Sequence, residues 1–273
     1  MAERKRQQAA RPGALIVGAS SGIGAALARE LARHGYTLAL VARRVEALDA
    51  LCDELNAAHS AQAAPGKLDP SAPIAHVYAH DVRDYDAAPA LFETIRRDLG
   101  AGGSELRLAI YTAGVMPRER EGGGWSFADE RATIETNLTG GIRWLGLAAE
   151  AFAKMGTGTL VGISSVAGDR GRKGNSAYMA SKAGLSTYLE SLRYRLAGSR
   201  VRVVTVKPGY VATEMIAGLK LPRPLIVAPE RAAARIARLA ERGRTVAYLP
   251  GYWRPIMRVV KAIPAALMPR LPI

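Results

Sequence analysis

Residues 162–182, GISSVAGDRGRKGNSAYMASK, hold side chains whose types and spacing suit acid–base work on a carbonyl. Tyr178 and Lys182 stand at i and i+4, so on a helix they share one face. A free tyrosine, with a pKa of about 10, is a poor reversible proton donor near neutrality. A neighbouring ammonium stabilises the phenolate and lowers that value. Ser164 and Ser165 follow an apolar run that reads as a strand, at the carboxyl edge where open α/β sheets bind ligands. Such a set would deliver a proton to a carbonyl oxygen while hydride reaches the carbon. Tyr-x-x-x-Lys alone is a frequent chance match, so its meaning depends on what else the chain holds.

A second motif supplies that context. Residues 15–24 read LIVGASSGIG, a strand ending at Val17, glycines at 18, 22 and 24, and then a helix. Gly18 permits a tight turn, Gly22 lets the backbone approach a pyrophosphate, and Gly24 permits close helix–sheet packing. The helix N-terminus then offers free N–H groups and a partial positive charge to phosphate. The segment lacks the G-x-x-x-x-G-K-[ST] pattern of nucleotide triphosphatases. The next strand ends Leu40-Val41-Ala42-Arg43-Arg44. An NAD site places an acid near this point to hold the ribose hydroxyls, and here stands Ala42 with two arginines behind it. Guanidinium forks pair well with phosphate, so the expected cofactor is NADPH/NADP+, with Arg43 the main contact and Arg44 secondary. The alternative is a pair of solvated arginines leading a helix.

These groups need a scaffold to hold them. The 273 residues are 49% apolar and 23% charged, a globular balance that excludes disordered and collagen-like chains. Apolar runs at Ala14–Val17, Thr37–Val41, Ile74–His80, Leu106–Tyr111, Thr159–Ile163, Val201–Val206 and Thr245–Tyr248 read as strands. Helical patterns lie between them at Gly24–His34, Val45–Asn56, Ala87–Leu99, Phe127–Phe152, Ala177–Leu196 and Pro229–Arg242, and residues 57–73 read as a surface loop. The alternation predicts an α/β fold: a doubly wound parallel sheet, the Rossmann fold, in one domain over residues 13–250. Residues 1–12 read as a flexible basic arm without the apolar run of a signal peptide, and 251–273 as a basic amphipathic extension. No stretch is long and apolar enough for a transmembrane helix.

From about residue 13 to residue 215 the chain resembles the short-chain dehydrogenase/reductase family. The resemblance rests on GASSGIG, Asp81 in HDVR, TAG at 112–114, Asn137 in ETNLTG, SSVAG, YMASK and KPGYVAT. It implies Ser165, rather than Ser164, as the serine that hydrogen-bonds the substrate oxygen, with Tyr178 as acid/base. It implies that Lys182 binds the nicotinamide ribose and depresses the tyrosine pKa, and that Asn137 holds a water in a proton relay. The implied cofactor surface runs through Gly18, Ser20, Ser21, Gly22, Ile23 and Gly24. It continues through Asp81 at the adenine with Val82, Ala113 and Gly114 along the cofactor, and Pro208, Gly209 and Val211 at the nicotinamide pocket. By the same resemblance Thr213 is implied at the carboxamide. Two positions depart from the family pattern: Val17 replaces a threonine, and Thr112 an asparagine.

The substrate is less legible. Arg170, Arg172 and Lys173 lie between Ser165 and Tyr178, and Arg118 and Arg120 follow the TAG segment. They read either as a phosphate-binding cluster or as solvated charged loops. The net charge of +14 suits an anionic partner, but no nucleic-acid recognition motif occurs and no nucleic acid is expected. The ending YWRPIMRVVKAIPAALMPRLPI sets Trp253, Met257, Val260, Ile263 and Leu267 on one helical stripe and Arg254, Arg258 and Lys261 on another. It reads as a peripheral contact with a membrane surface or a lid beside an acidic lipid, or else as a terminal helix packed on the core or on a second subunit. The tail and the SSVAGDRGRKGNSAY segment resemble the family branch that completes epimerisation of polyprenylphosphoryl ribose to arabinose. That resemblance implies a 2-keto polyprenylphosphoryl pentose substrate and a flavin oxidase partner.

Other readings stay open: a reductase of soluble or fatty ketones, 3-oxoacyl or steroid-like, and a noncatalytic module that senses NADP(H). The expected location is cytoplasmic, with peripheral contact at the membrane inner face. The resemblance also implies a homo-oligomer paired through helices near 130–152 and 177–197. His34, His59, His76 and His80 form no metal spacing with Cys52, so no metal is expected, and Cys52 reads as a small packing residue. Trp125 and Trp144 read as packing, and Trp253 as interfacial.

Overall fold

Continuous apolar strands alternate with helices because both faces of the central sheet are covered. The computed structural model describes residues 11–62, 73–117, 124, 126–219, 221–242 and 245–271. Seven strands form one parallel sheet: β1 (Pro12–Val17), β2 (Thr37–Ala42), β3 (Ala75–Ala79), β4 (Glu105–Tyr111), β5 (Thr157–Ile163), β6 (Arg200–Pro208) and a last strand at Val246–Leu249. Two-residue strands β7 (Tyr210–Val211) and β8 (Ile226–Val227) pair separately, which makes the last strand β9. The order is β3-β2-β1-β4-β5-β6-β9, so the direction of winding reverses between β1 and β4. Ligands bind at such a switch point in open α/β sheets.

Helices α1 (Gly22–Arg33), α2 (Val45–Gln62) and a helix at Pro229–Arg242 cover one face, burying Leu27, Leu31, Leu48 and Ile236. The other face carries α3 (Ala88–Ala101), α5 (Gly140–Met155) and α6 (Ser176–Arg195), with Phe92, Trp144, Phe152 and Leu189 inward. The helix α4 (Phe127–Ile134) leads into α5 through a π-helical turn, Glu135–Thr139. The Pro229–Arg242 helix is α7, and α8 spans Trp253–Ala262.

The doubly wound parallel sheet expected from the sequence is the one observed, with several adjusted boundaries. β1 begins at Pro12, inside the reach read as a basic arm, and the Arg11 side chain meets the His59 ring at 3.0 Å. Residues 1–10 lie outside the described residues. The helix α2 runs to Gln62, past the expected start of a loop, because Ala57, Ala58 and Ala61 are strong helix formers. Asn56 closes its far side, its Oδ1 accepting from the N–H groups of Ile74 and Ala75 at 2.9 and 3.0 Å. The rest of that stretch, 63–72, lies outside the described residues, as do Arg118, Arg120 and Trp125. Trp144 is buried as a packing residue, as read.

The tail corrects the five-residue stripe. The helix α8 stops at Ala262, Ile263 turning extended (φ −63°, ψ 127°) ahead of Pro264. Leu267 is therefore off the stripe and 46% exposed. Trp253 and Met257 are buried against Val166, with Val260 beside them. The apolar stripe of α8 thus packs on this chain's own core, and Trp253 is not an interfacial residue. Among the described residues no helix is long and apolar enough to cross a membrane.

Candidate active site

The carboxyl ends of β1, β4, β5 and β6 open into one cleft of about 1130 Å³. At the end of β1 the chain must turn at once into α1. Gly18 makes that turn at φ +94°, and a side chain there would stand 2.4 Å from the Ala113 amide nitrogen. Gly24 lies as close to the loop, a Cβ at this position falling 2.0 Å from the Gly18 carbonyl oxygen. Thr112, where the family pattern has asparagine, carries its hydroxyl 2.9 Å from the carbonyl oxygens of both Val17 and Gly18. The replacement therefore still ties the end of β4 to the glycine turn.

Ser20, Ser21, Gly22, Ile23, Arg43 and Arg44 all line this cleft with Gly18 and Gly24. Arg43 is 54% exposed and lies 3.8 Å from the Asp81 carboxylate, leaving its guanidinium open to a further anion. Arg44 is more engaged, bonding Ser20 Oγ at 3.3 Å and the Glu214 carboxylate at 3.1 Å. Val82, Ala113 and Gly114 continue the wall, and Pro208, Gly209, Val211 and Thr213 close its far side. Asp81 does not line the cleft. The Arg83 guanidinium grips its carboxylate, with Oδ2 at 2.6 Å from Nη2, and holds it below the usual carboxylate range.

The chemical residues converge at the ends of β5 and α6. Ser164 faces inward: its hydroxyl meets the Lys182 carbonyl oxygen at 2.8 Å and Ser186 Oγ at 2.7 Å. Ser165 lines the cleft together with Tyr178. Its Oγ also accepts from the Ala167 N–H at 3.1 Å, which fixes its rotamer. Lys182 Nζ donates to the Ile163 carbonyl at 3.0 Å and lies 5.8 Å from the Tyr178 ring centre. Burial pushes the Lys182 ammonium down to about 8. Burial also raises the Tyr178 phenol, with Ser165 acting the other way. The expected depression of the tyrosine pKa by Lys182 is thus not found. The ammonium is aimed at a carbonyl, and desolvation penalises the charged form of both groups.

Asn137 does not line the cleft; it is fully buried behind it. Its amide clamps Val115, accepting from N–H at 2.7 Å and donating to C=O at 2.9 Å, and also donates to Ser181 Oγ at 3.1 Å. A side chain on Gly114 would come within 3.3 Å of both Asn137 Oδ1 and Lys182 Nζ, so the bare backbone lets the two approach. The π-helical turn around Asn137 is a local departure of the kind that concentrates at functional sites.

The remaining cleft is mixed in character. Arg172 and Lys173 stand on its wall with Met116, Met179, Met215 and Leu219. Arg170 does not: its guanidinium donates to the Ile263 carbonyl at 3.0 Å, tying the loop after Ser165 to the tail. Beneath that loop Asp169 and Lys207 form a buried ion pair, and the Tyr248 hydroxyl donates to Asp169 at 2.7 Å. Sequence reasoning missed His80, Tyr210 and the Met215–Leu219 wall, and it missed this network. The three network residues lie on separate elements with no shared motif. Cys52 Sγ donates to the Ala75 carbonyl at 3.1 Å, and burial pushes its thiol up, away from nucleophilic use.

The chain matches the short chain dehydrogenase family model over residues 13–223. It is 36% identical over 263 residues to an oxidoreductase of Myxococcus xanthus described as uncharacterized, covering 93% of each chain. It is 32% identical over 200 residues to a 3-oxoacyl-[acyl-carrier-protein] reductase of Bos taurus, covering 73% of this chain and 76% of that one. Among solved structures, a short-chain dehydrogenase from Sphingobium yanoikuyae in complex with NADPH superposes with a TM-score of 0.73 at 26% identity, covering 93% of this chain and 97% of that one.

Proposed function

The chain belongs to the short-chain dehydrogenase family, and from that membership we propose that it reduces a ketone with hydride from NADPH. The observation that carries this reading is the convergence of Ser165, Tyr178 and Lys182, the last 5.8 Å from the tyrosine ring, on the wall of the cleft that begins at the glycine turn. The residues suit the cofactor. The Gly18 turn leaves the α1 N-terminus open to a pyrophosphate, and Ala42 sets no acid against a 2′-phosphate beside Arg43. When bound, NADPH supplies hydride to the carbonyl carbon. Ser165 donates a hydrogen bond to the carbonyl oxygen, and Tyr178 passes its phenolic proton to it. In this reading Lys182, fixed by the Ile163 carbonyl, holds the nicotinamide ribose, and Asn137 clamps Val115 beside Gly114 on the cofactor wall.

The substrate in this reading is an amphiphile. Its anionic group meets Arg172 and Lys173, and its apolar body lies along Met116, Met179, Met215 and Leu219. A 2-keto polyprenylphosphoryl pentose made by a flavin oxidase has this form. The methionine wall and the bovine relative favour a second reading, a fatty 3-oxoacyl thioester. NADPH oxidation by the purified protein against both compounds decides between them, with Tyr178→Phe as control. Turnover of one and loss in the variant identifies the substrate. NADPH binding without turnover of any carbonyl sinks the reductase reading in favour of a cofactor-sensing module. The same reading includes pairing of copies through α5 and α6, which sedimentation of the protein tests.

A further inference from the structure

Away from the catalytic cleft, β9 and α8 enclose a second concavity of about 360 Å³, walled by Val246, Tyr248, Arg254, Arg258 and Lys261. The three cations stand at i, i+4 and i+7 and so share one flank of α8, beside the stripe buried against Val166. No Asp or Glu occurs in the chain after Glu241. Among the described residues none of the three cations has an ion-pair partner. The acid beneath the concavity, Asp169, is already neutralised by Lys207, and the Tyr248 hydroxyl is spent on the same carboxylate. Arg254 and Arg258 act electrostatically on Tyr248, so their charge is directed at the cavity wall. Three like charges gathered around one hollow repel each other unless an anion sits between them.

We propose that this hollow binds the phosphate of a phosphate ester, either a lipid headgroup at a membrane surface or a soluble metabolite. Arginine forks and a lysine point charge are the groups that hold phosphate. The site does not depend on the reductase reading, because none of the residues that wall it lines the catalytic cleft.

The test uses the full chain and the variant Arg258→Glu/Lys261→Glu, with Lys261→Met as a milder change. Both positions are exposed, so the fold is not at stake. One arm measures cosedimentation with phosphatidylcholine vesicles with and without phosphatidylglycerol. The other titrates inorganic phosphate and glycerol 3-phosphate by calorimetry. Binding in either arm, falling with salt and weakened at least about tenfold in the double variant, is the expected result. Vesicle binding alone identifies a lipid source, and binding of the small phosphates identifies a soluble one. Binding in neither arm, or equal binding by the double variant, overturns the proposal. NADPH turnover by the same variants is a separate readout and stays at the wild-type level, so a failure here is distinguishable from a failure of the reductase reading.

Discussion

Trp253 lies against the bare backbone of Gly209 so closely that a Cβ on the glycine would stand 1.9 Å from the indole Nε1. Gly209 is on the wall of the catalytic cleft, and Trp253 is the first residue of α8. The tail is therefore fitted to the site from behind. Gly209→Ala forces the indole out, and overpacking of this kind costs about 1–3 kcal/mol. The expected result is a lower midpoint of thermal unfolding together with weaker NADPH binding, measured by fluorescence titration. Unchanged cofactor affinity would show that the contact serves stability alone.

Lys182 makes stability depend on pH in a particular direction. Burial lowers it from 10.5 to about 8, a difference of about 3 kcal/mol between its charged and neutral forms. Below about 8 the lysine is charged whether folded or unfolded, and the folded state carries the desolvation cost in full. Between about 8 and 10.5 the folded lysine is neutral while the unfolded one keeps its proton, so stability rises with pH. Tyr178, raised from 10.0, opposes this only at the alkaline end. Lys182→Met should be inactive yet more stable than the parent near neutral pH, with the gap closing toward alkaline pH in urea unfolding. A gap independent of pH would refute the assignment.

Arg43 and Arg44 should separate in cofactor choice. Arg43 has only a long contact to Asp81, whereas Arg44 is held by Glu214 and Ser20. Arg43→Ala should raise the KM for NADPH by roughly 10–100-fold, the worth of a charge-assisted hydrogen bond, and leave that for NADH nearly unchanged. Arg44→Ala should do less. Equal effects on both cofactors would remove the 2′-phosphate role.

Asp169→Asn leaves Lys207 charged and unpaired in the interior. Breaking a buried pair from one side costs about 3–5 kcal/mol, so the thermal midpoint should fall sharply. Asp169→Asn/Lys207→Met should recover most of that loss, because no uncompensated charge remains. If the double variant is no more stable than the single, Asp169 acts through Tyr248 instead. Activity should fall with the single variant, since Asp169 ends the turn that begins after Ser165.

Much of this protein is determined locally and is open to reading in the sequence. The glycine turn, the strand–helix alternation and the i, i+4 pair of Tyr178 and Lys182 each depend on neighbours within a few residues. Backbone sterics and helical periodicity therefore announce them. The choice of Ser165 over Ser164 comes instead from the family resemblance; both serines line the cleft, and the Ser164 hydroxyl is taken up by Lys182 and Ser186. Only the tertiary structure decided which groups face each other across distant segments. Asp81 is turned aside by Arg83, and Asn137 is withdrawn behind Val115. Arg170 is diverted to the tail. The buried stripe of α8 meets Gly209 and Val166 rather than a bilayer. An amphipathic pattern states that a face will be buried, but the partner is chosen by the shape and charge of surfaces that exist only once the chain has folded.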